Sequence, residues 1–256
     1  MLSSQKLLNH KLRFIWRSFI NLNWKFGLVL ILLICIPRFY LVLQANLSGN
    51  YGLIGIIMII SAVIPFIFLN KDGLRSIGLR KSNSTLSLLL SFGLGLLYAF
   101  ILFGIGYMLY GTTIENWYIY IGKSYNIPDG ITSADKLIMF LIMSVTGMIF
   151  SPIGEEFYFR GIVHECFKNS LGENKASKVD SLAFSLTHIA HFGVIFINNQ
   201  MKIIWIPMIL WIVSMYFASR LFFYCKEKSN SIWGAVLCHS GFNLMMIYCI
   251  FYLLYS

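Results

Sequence analysis

Six side chains capable of chemistry occur in three short motifs of an otherwise apolar sequence. They are Glu155, Glu156, Arg160, His188, His239 and Asn243. A carboxylate can take a proton from water, and imidazole and amide N–H groups can stabilise the oxyanion formed when water attacks an amide. Only the second of the two acids lies one helical turn from Arg160, so the acids would take different roles. These residue types are compatible with hydrolysis of an amide bond.

The spacing of these residues indicates that the motifs lie on helices. Arg160 follows the second acid by four residues, and Asn243 follows His239 by four, so each pair shares a helix face. Pro152, just before the acids, has no backbone N–H and leaves the carbonyl of Met148 free. Within a membrane, such an interruption needs cover from protein or a water-filled cavity. We therefore expect a wet cavity, which we predict to open to the cytoplasm.

Composition places the motifs in a membrane protein. Of the 256 residues, 58% are hydrophobic and only 12% are charged, and the mean hydropathy is +0.74. A soluble protein of this length would need more charged surface. The same values exclude a disordered chain, a disulfide scaffold and a collagen-like fibre. We attribute the net charge of +10 to loop residues that orient the protein in the membrane, and we expect no nucleic-acid partner.

Seven continuous apolar stretches are long enough to cross a bilayer as helices. They cover about 27–45, 51–69, 86–110, 137–153, 179–197, 203–223 and 232–254. We predict an all-α, polytopic membrane bundle of about seven helices, with a basic cytoplasmic or interfacial segment at 1–25 and a single transmembrane domain at 26–256. An eighth, interfacial helix could lie within 3–25, where five apolar residues would share a face. These residues are Leu7, Leu8, Leu12, Ile15 and Phe19.

The lysines and arginines alternate between the two sides of this map. All but four of the 20 lie before the first span or in alternate loops; Lys123, Lys136, Lys202 and Arg38 are the exceptions. This distribution predicts a cytoplasmic N-terminus and an external C-terminus. Arg38 lies inside the first span, where it would either pair with a buried acid or carbonyl or reach towards an interface.

The three motifs are predicted to lie at one depth in the membrane. At 1.5 Å per residue, His188 and His239 lie about 13 Å and about 10 Å from the cytoplasmic ends of their spans. Glu155 lies about 27 Å along a span that starts outside. Each motif alone has a simpler explanation, as a boundary acid or a hydrogen-bonded packing histidine. Their convergence in one layer favours a site that substrates approach from the cytoplasm.

Together, the motifs resemble the CAAX protease and bacteriocin-processing family (CPBP, also called Abi) of membrane-embedded proteases. The pattern of that family is Glu-Glu-x-x-x-Arg, then Phe-x-x-x-His, then His-x-x-x-Asn. All three motifs occur here in that order over about 140–245. The resemblance implies an intramembrane endopeptidase on a bundle of about eight helices, with a CPBP-like core at about 137–250.

The resemblance also implies a role for each residue. Glu155 would activate the attacking water with help from His188, and His239 and Asn243 would stabilise the oxyanion. Arg160 would orient the acidic pair through its second member. The protein could use no cofactor or could bind Zn²⁺, because Glu155, His188 and His239 are acceptable zinc ligands. We favour a reaction without a metal.

Three classes of function are compatible with these features. The favoured one is a peptidase acting on a membrane-associated peptide or protein. A short chain rich in Ile, Asn, Lys and Phe favours a bacterial plasma membrane as the location. There the substrate could be a bacteriocin or a pheromone precursor, or the protein could have a role in immunity. The alternatives are a catalytically dispensable scaffold or regulator of the same fold, and a transporter or proton relay. The sequence shows no internal repeat, which counts against transport.

Overall fold

A computed structural model describes residues 9–255, which form a helical bundle with one small hairpin. The helices are α1 (Trp24–Ser48), α2 (Gly52–Phe68), α3 (Lys71–Ser76), α4 (Thr85–Tyr110), α5 (Trp117–Lys123), α6 (Ser133–Glu155), α7 (His164–Leu171), α8 (Glu173–Thr187), α9 (Trp205–Ser229) and α10 (Ile232–Cys249). Two π-helical segments, Glu156–Val163 and Ile250–Leu254, extend α6 and α10. Short 3-10 turns cover Phe14–Trp16 and His188–Ala190. Strands β1 (Val194–Ile197) and β2 (Gln200–Ile203) pair antiparallel, with Val194 opposite Ile203.

The predicted polytopic helical membrane bundle is confirmed. Among residues 9–255, five helices are long and apolar enough to cross a membrane: α1, α4, the continuous helix from α6 to α7, α9, and α10 with its π-helical extension. The apolar helix α2 is shorter, at 17 residues. Large apolar side chains such as Leu33, Leu89 and Ile142 are exposed on these helices, as expected of surfaces that face lipid.

The chain departs from the continuous helix that we predicted at 179–197. α8 ends at Thr187, and a 3-10 turn leads into the β1–β2 hairpin. Asn198 and Asn199, with φ of 51° and 60°, form its two-residue turn, a conformation that asparagine tolerates well. Polar residues of α8 such as Asp180 are fully buried in the bundle. α8 therefore buries one polar face in the bundle, while Lys178, Leu182 and Leu186 on its other side are exposed.

The N-terminal segment does not form the interfacial helix considered for 3–25, as far as it is described. Residues 10–23 contain only one short turn. Leu12 is fully buried and forms a bridge with Leu69, whereas Phe19 is exposed, so the apolar residues do not share one face. Leu7 and Leu8 lie outside the described residues. The division into a segment at 1–25 and a domain at 26–256 stays a prediction.

Close helix contacts position the motif-bearing helices. A Cβ atom at Gly95 of α4 would overlap the carbonyl oxygen of Cys238 in α10, and Gly241 of α10 is equally close to the α4 backbone. On the other side, a Cβ at Gly154 of α6 would lie 2.6 Å from the Met58 carbonyl oxygen of α2. Glycine allows such approach because it carries no side chain. These crossings fix α10 against α4 and α6 against α2, and so position the helices that carry the third and first motifs.

Candidate active site

Glu155 ends α6 with its two carboxylate oxygens in different surroundings. Oε1 accepts hydrogen bonds from Arg38 Nη2 at 2.8 Å and from Ser151 Oγ at 2.6 Å. Oε2 is buried, has no hydrogen-bond partner among residues 9–255, and lies 3.8 Å from His188 Nε2. The side chains of Arg38 and Glu155 are 3% and 2% exposed, so the ion pair is shielded from bulk water. One oxygen is thus held in place while the other stays available.

His188 is oriented by the end of α8. Its Nδ1 lies 2.7 Å from the carbonyl oxygen of Phe184. A carbonyl only accepts hydrogen bonds, so Nδ1 carries the hydrogen and the neutral ring directs the Nε2 lone pair towards Glu155. The Phe184 ring packs against the imidazole with 4.2 Å between centroids and a 33° tilt, and forms a wall of its pocket. The His188 carbonyl accepts hydrogen bonds from the backbone N–H groups of His191 and Phe192 and a further one from Trp211 Nε1 at 3.1 Å.

Glu156 lies in the π-helical segment and has a partner on each side. His239 Nδ1 lies 2.8 Å from its Oε1, and Arg160 Nε lies 3.1 Å from its Oε2, so the pair expected from spacing forms. The Arg160 guanidinium carbon lies 4.3 Å above the Phe184 ring and 5.3 Å above the Phe222 ring. Aromatic faces attract a cation and exclude water. The two acids therefore have separate partners, Glu155 facing His188 and Glu156 holding His239.

The carbonyls near Pro152 bond to side chains of α10. Ser240 Oγ donates to the Met148 carbonyl at 2.7 Å, the group that Pro152 cannot reach with a backbone N–H. Asn243 Nδ2 donates to the Gly147 carbonyl at 2.8 Å. An amide nitrogen has two hydrogens, so one N–H of Asn243 stays available. The interruption predicted in this helix is thus satisfied by neighbouring protein.

These groups line one cavity of about 650 Å³. All predicted site residues except Glu156 and Arg160 contribute to its wall. The remainder is largely apolar, with Met58, Phe150 and Phe242 among the lining residues. Its size and chemistry fit an organic ligand bound by apolar contact and fixed by a few polar groups.

The cavity extends to one end of the bundle, where Tyr51, Ser124 and Asn126 line it. The predicted orientation places this end outside, because α1 ends and α2 begins there. This differs from our expectation of a cytoplasmic opening. Glu155 lies about 33 Å from the start of α6 and about 24 Å before the end of α7, near the middle of the rod. Distance along a helix locates the acid but does not show on which side neighbouring helices diverge.

The donor atoms of the site do not converge as metal ligands. Among residues 9–255, no group of three or more His, Cys, Asp or Glu side chains is arranged to hold a metal ion. Glu155 Oε1 is bound to a guanidinium cation, and His239 is held by Glu156. Zinc sites with an open position need three convergent protein ligands. Within the described part of the chain, Glu155, His188 and His239 do not form such a set.

Sequence reasoning missed three contributors to the site. Ser151 had a signal, since it precedes Glu155 by one helical turn. Ser240 bonds to the carbonyl that the sequence marked as free, but its own position carried no signal. Lys226 is buried and donates to the Arg160 carbonyl at 2.7 Å, although we read it as an orienting charge. Of the two roles considered for Arg38, the structure shows pairing with a buried acid.

Comparison with known proteins identifies the segment that carries the site. Residues 137–245 match the Rce1-like family, described as type II CAAX prenyl endopeptidase Rce1-like. The match contains all six motif residues and confirms the resemblance inferred from them. No curated protein and no solved structure matches the chain. The ion-pair partner Arg38 lies outside the matched segment.

Proposed function

We propose that this multi-pass membrane protein, Rce1-like over residues 137–245, is an intramembrane endopeptidase that hydrolyses a peptide bond of a membrane-associated substrate. The family match supports this class of enzyme. One observation carries the mechanism: Glu155 Oε2 is buried without a hydrogen-bond partner among the described residues and lies 3.8 Å from His188 Nε2. Glu155 and His188 both line the same cavity.

A water molecule fits the chemistry between these acceptors. The distance of 3.8 Å is too long for a direct hydrogen bond, but a water has two hydrogens and can donate one to each atom. Its oxygen then attacks the scissile carbonyl carbon as Glu155 Oε2 takes a proton. Arg38 and Ser151 hold Oε1 and keep Oε2 directed at the cavity. Glu155 acts as the base, and His188 orients the water.

His239 and Asn243 supply N–H groups for the oxyanion. Because His239 Nδ1 is committed to Glu156, its Nε2 can donate only when the ring is protonated. The Glu156 carboxylate stabilises that imidazolium, and Arg160 holds the carboxylate in position. The second N–H of Asn243 completes the pair of donors. When the C–N bond breaks, the leaving amine takes the proton from Glu155, which restores the free enzyme.

The apolar cavity wall favours an apolar peptide segment as substrate. We propose a bacterial plasma membrane as the location, and a bacteriocin, a pheromone precursor or an immunity-related peptide as the substrate. The lipid bilayer and this peptide are the proposed partners, and the proposed chemistry needs no cofactor.

The proposal is tested in cells that lack the gene and express wild type, Glu155→Gln or His188→Ala at equal membrane levels. Mass spectrometry of secreted and membrane peptides should show products only with wild type, because loss of the base slows the reaction by about 100-fold or more. His188→Ala leaves the Arg38–Glu155 pair intact, so misfolding does not explain a shared loss. Glu227→Gln, which changes an exposed acid, is the matched control and should process normally. Full processing by Glu155→Gln would refute the mechanism, and an unchanged cellular role without cleavage would favour the scaffold.

A further inference from the structure

A second, polar cavity of about 310 Å³ adjoins the cavity of the candidate active site. The two cavities share six lining residues: Gly49, Tyr51, Ile121, Ser124, Asn126 and His191. We call the second cavity the polar annex. Because part of the wall is common to both, a peptide can extend from one cavity into the other.

His191 lies where the two cavities meet. Its ring centroid is 5.3 Å from that of His188, and its side chain lines both cavities. A peptide whose scissile carbonyl lies beside Glu155 therefore passes His191 when it continues into the annex. The proposed mechanism gives His191 no part in the reaction, and its place at this junction is explained by contact with the bound peptide.

The annex differs in chemistry from the larger cavity. Phe184 and Phe242 are typical of the larger cavity wall, whereas amide, hydroxyl and ammonium groups line the annex beside apolar residues such as Leu47 and Phe196. The wall is held by hydrogen bonds: Tyr51 Oη donates to Asn46 Oδ1 at 2.6 Å, and Asn46 Nδ2 donates to the Ala190 carbonyl at 2.8 Å. A ligand that fills both cavities must therefore combine an apolar part with a polar one.

Lys123 gives the annex its charge. It ends α5 on the cavity wall, and none of the residues lining the annex is acidic. Within residues 9–255, it forms no ion pair. We propose that the annex binds a carboxylate of the substrate peptide through Lys123, while the apolar part of the peptide occupies the larger cavity. The proposal rests on the peptidase function; an acidic side chain and a free C-terminus both supply the required carboxylate.

Binding, rather than cleavage, tests the annex. The protein is the purified double variant Arg38→Met/Glu155→Gln, which lacks the proposed base and leaves neither partner charge unpaired. Fluorescent peptides share one apolar segment and end in Glu, Gln or Lys, each as the free acid and as the amide. Fluorescence anisotropy gives their dissociation constants with Lys123 intact, with Lys123→Gln and with Lys123→Glu. The control is Lys202→Gln, an exposed lysine on β2 that lines neither cavity.

With Lys123 present, peptides with a carboxylate should bind about two- to fivefold more tightly than neutral ones. Lys123→Gln should abolish this preference, Lys123→Glu should favour the Lys peptide, and Lys202→Gln should change nothing. A preference that follows the Glu side chain assigns the carboxylate to that residue, and one that follows the free acid assigns it to the C-terminus. Equal affinities, or no binding of any peptide, would overturn the annex proposal. Neither result bears on the proposed base, because cleavage by wild type is measured separately.

Discussion

The ion pair between Arg38 and Glu155 should dominate the stability of the site. Its two atoms lie 2.8 Å apart, and the side chains are 3% and 2% exposed. Removing one partner of a buried pair leaves an uncompensated charge and typically costs about 3–5 kcal/mol. Arg38→Met should therefore lower the free energy of unfolding by that amount, as should Glu155→Gln. Proton uptake by the unpaired Glu155 carboxylate would limit the loss in Arg38→Met.

The double variant separates charge pairing from simple loss of contacts. Arg38→Met/Glu155→Gln contains no unpaired charge, and replacing a buried pair by neutral groups is often close to neutral for stability. We expect its free energy of unfolding to recover to within about 2 kcal/mol of wild type. The two single changes would then be strongly non-additive, as expected of residues in contact.

Reversible unfolding in mixed detergent micelles, followed by tryptophan fluorescence, measures these free energies. Arg75→Met changes an exposed arginine and should stay within about 0.5 kcal/mol of wild type. The reasoning fails if Arg38→Met costs less than about 1 kcal/mol, or if the double variant loses the sum of both single variants. Arg38→Met should also lose peptide processing, because Glu155 Oε1 would be free to rotate away from its present position.

Three further outcomes are expected. Gly95→Val should destabilise the bundle by about 1–3 kcal/mol or more in the same unfolding assay, because its Cβ would overlap the facing helix. A Cβ at Gly93 meets no atom within 4 Å, so Gly93→Val should be tolerated better. A hydrogen bond from His164 outweighs the effect of burial and lowers the pKa of Glu173 to about 2. The stabilising effect of the charged Glu173 is therefore full above pH about 4.5 and is lost as the pH falls towards 2. With Glu173→Gln, the melting temperature should vary less with pH over that range. A cysteine in place of Asn126 should react with a membrane-impermeant thiol reagent in intact cells, because we predict that this loop lies outside. The five native cysteines are free and buried, so they should contribute little labelling. Protection of the introduced cysteine would contradict the predicted orientation.

The site was more predictable from the sequence than its surroundings were. Polar residues in apolar helices are conspicuous, and spacing of four residues placed Glu156 against Arg160 in advance. The free carbonyl of Met148 followed from Pro152 alone. The contact between Arg38 and Glu155 could not be derived, because 117 residues separate them and no local periodicity links distant helices. The hairpin after α8 was not predicted for a different reason, because hydropathy does not distinguish an apolar strand from part of a membrane span.

The sequence by itself determined the membrane class, the helical architecture and the six residues of the candidate site. Those features depend on composition and on spacing within a helix, which a single chain displays directly. Only the tertiary structure decided which carboxylate oxygen is free, which histidine each acid faces, and which end of the bundle the cavity reaches. Each of these depends on contacts between helices that are distant in the sequence, such as the crossings of α4 with α10 at Gly95 and Gly241 and of α2 with α6 at Gly154. A shift of one helix by a single turn, about 5.4 Å, would separate Glu155 from both Arg38 and His188 while leaving every motif unchanged.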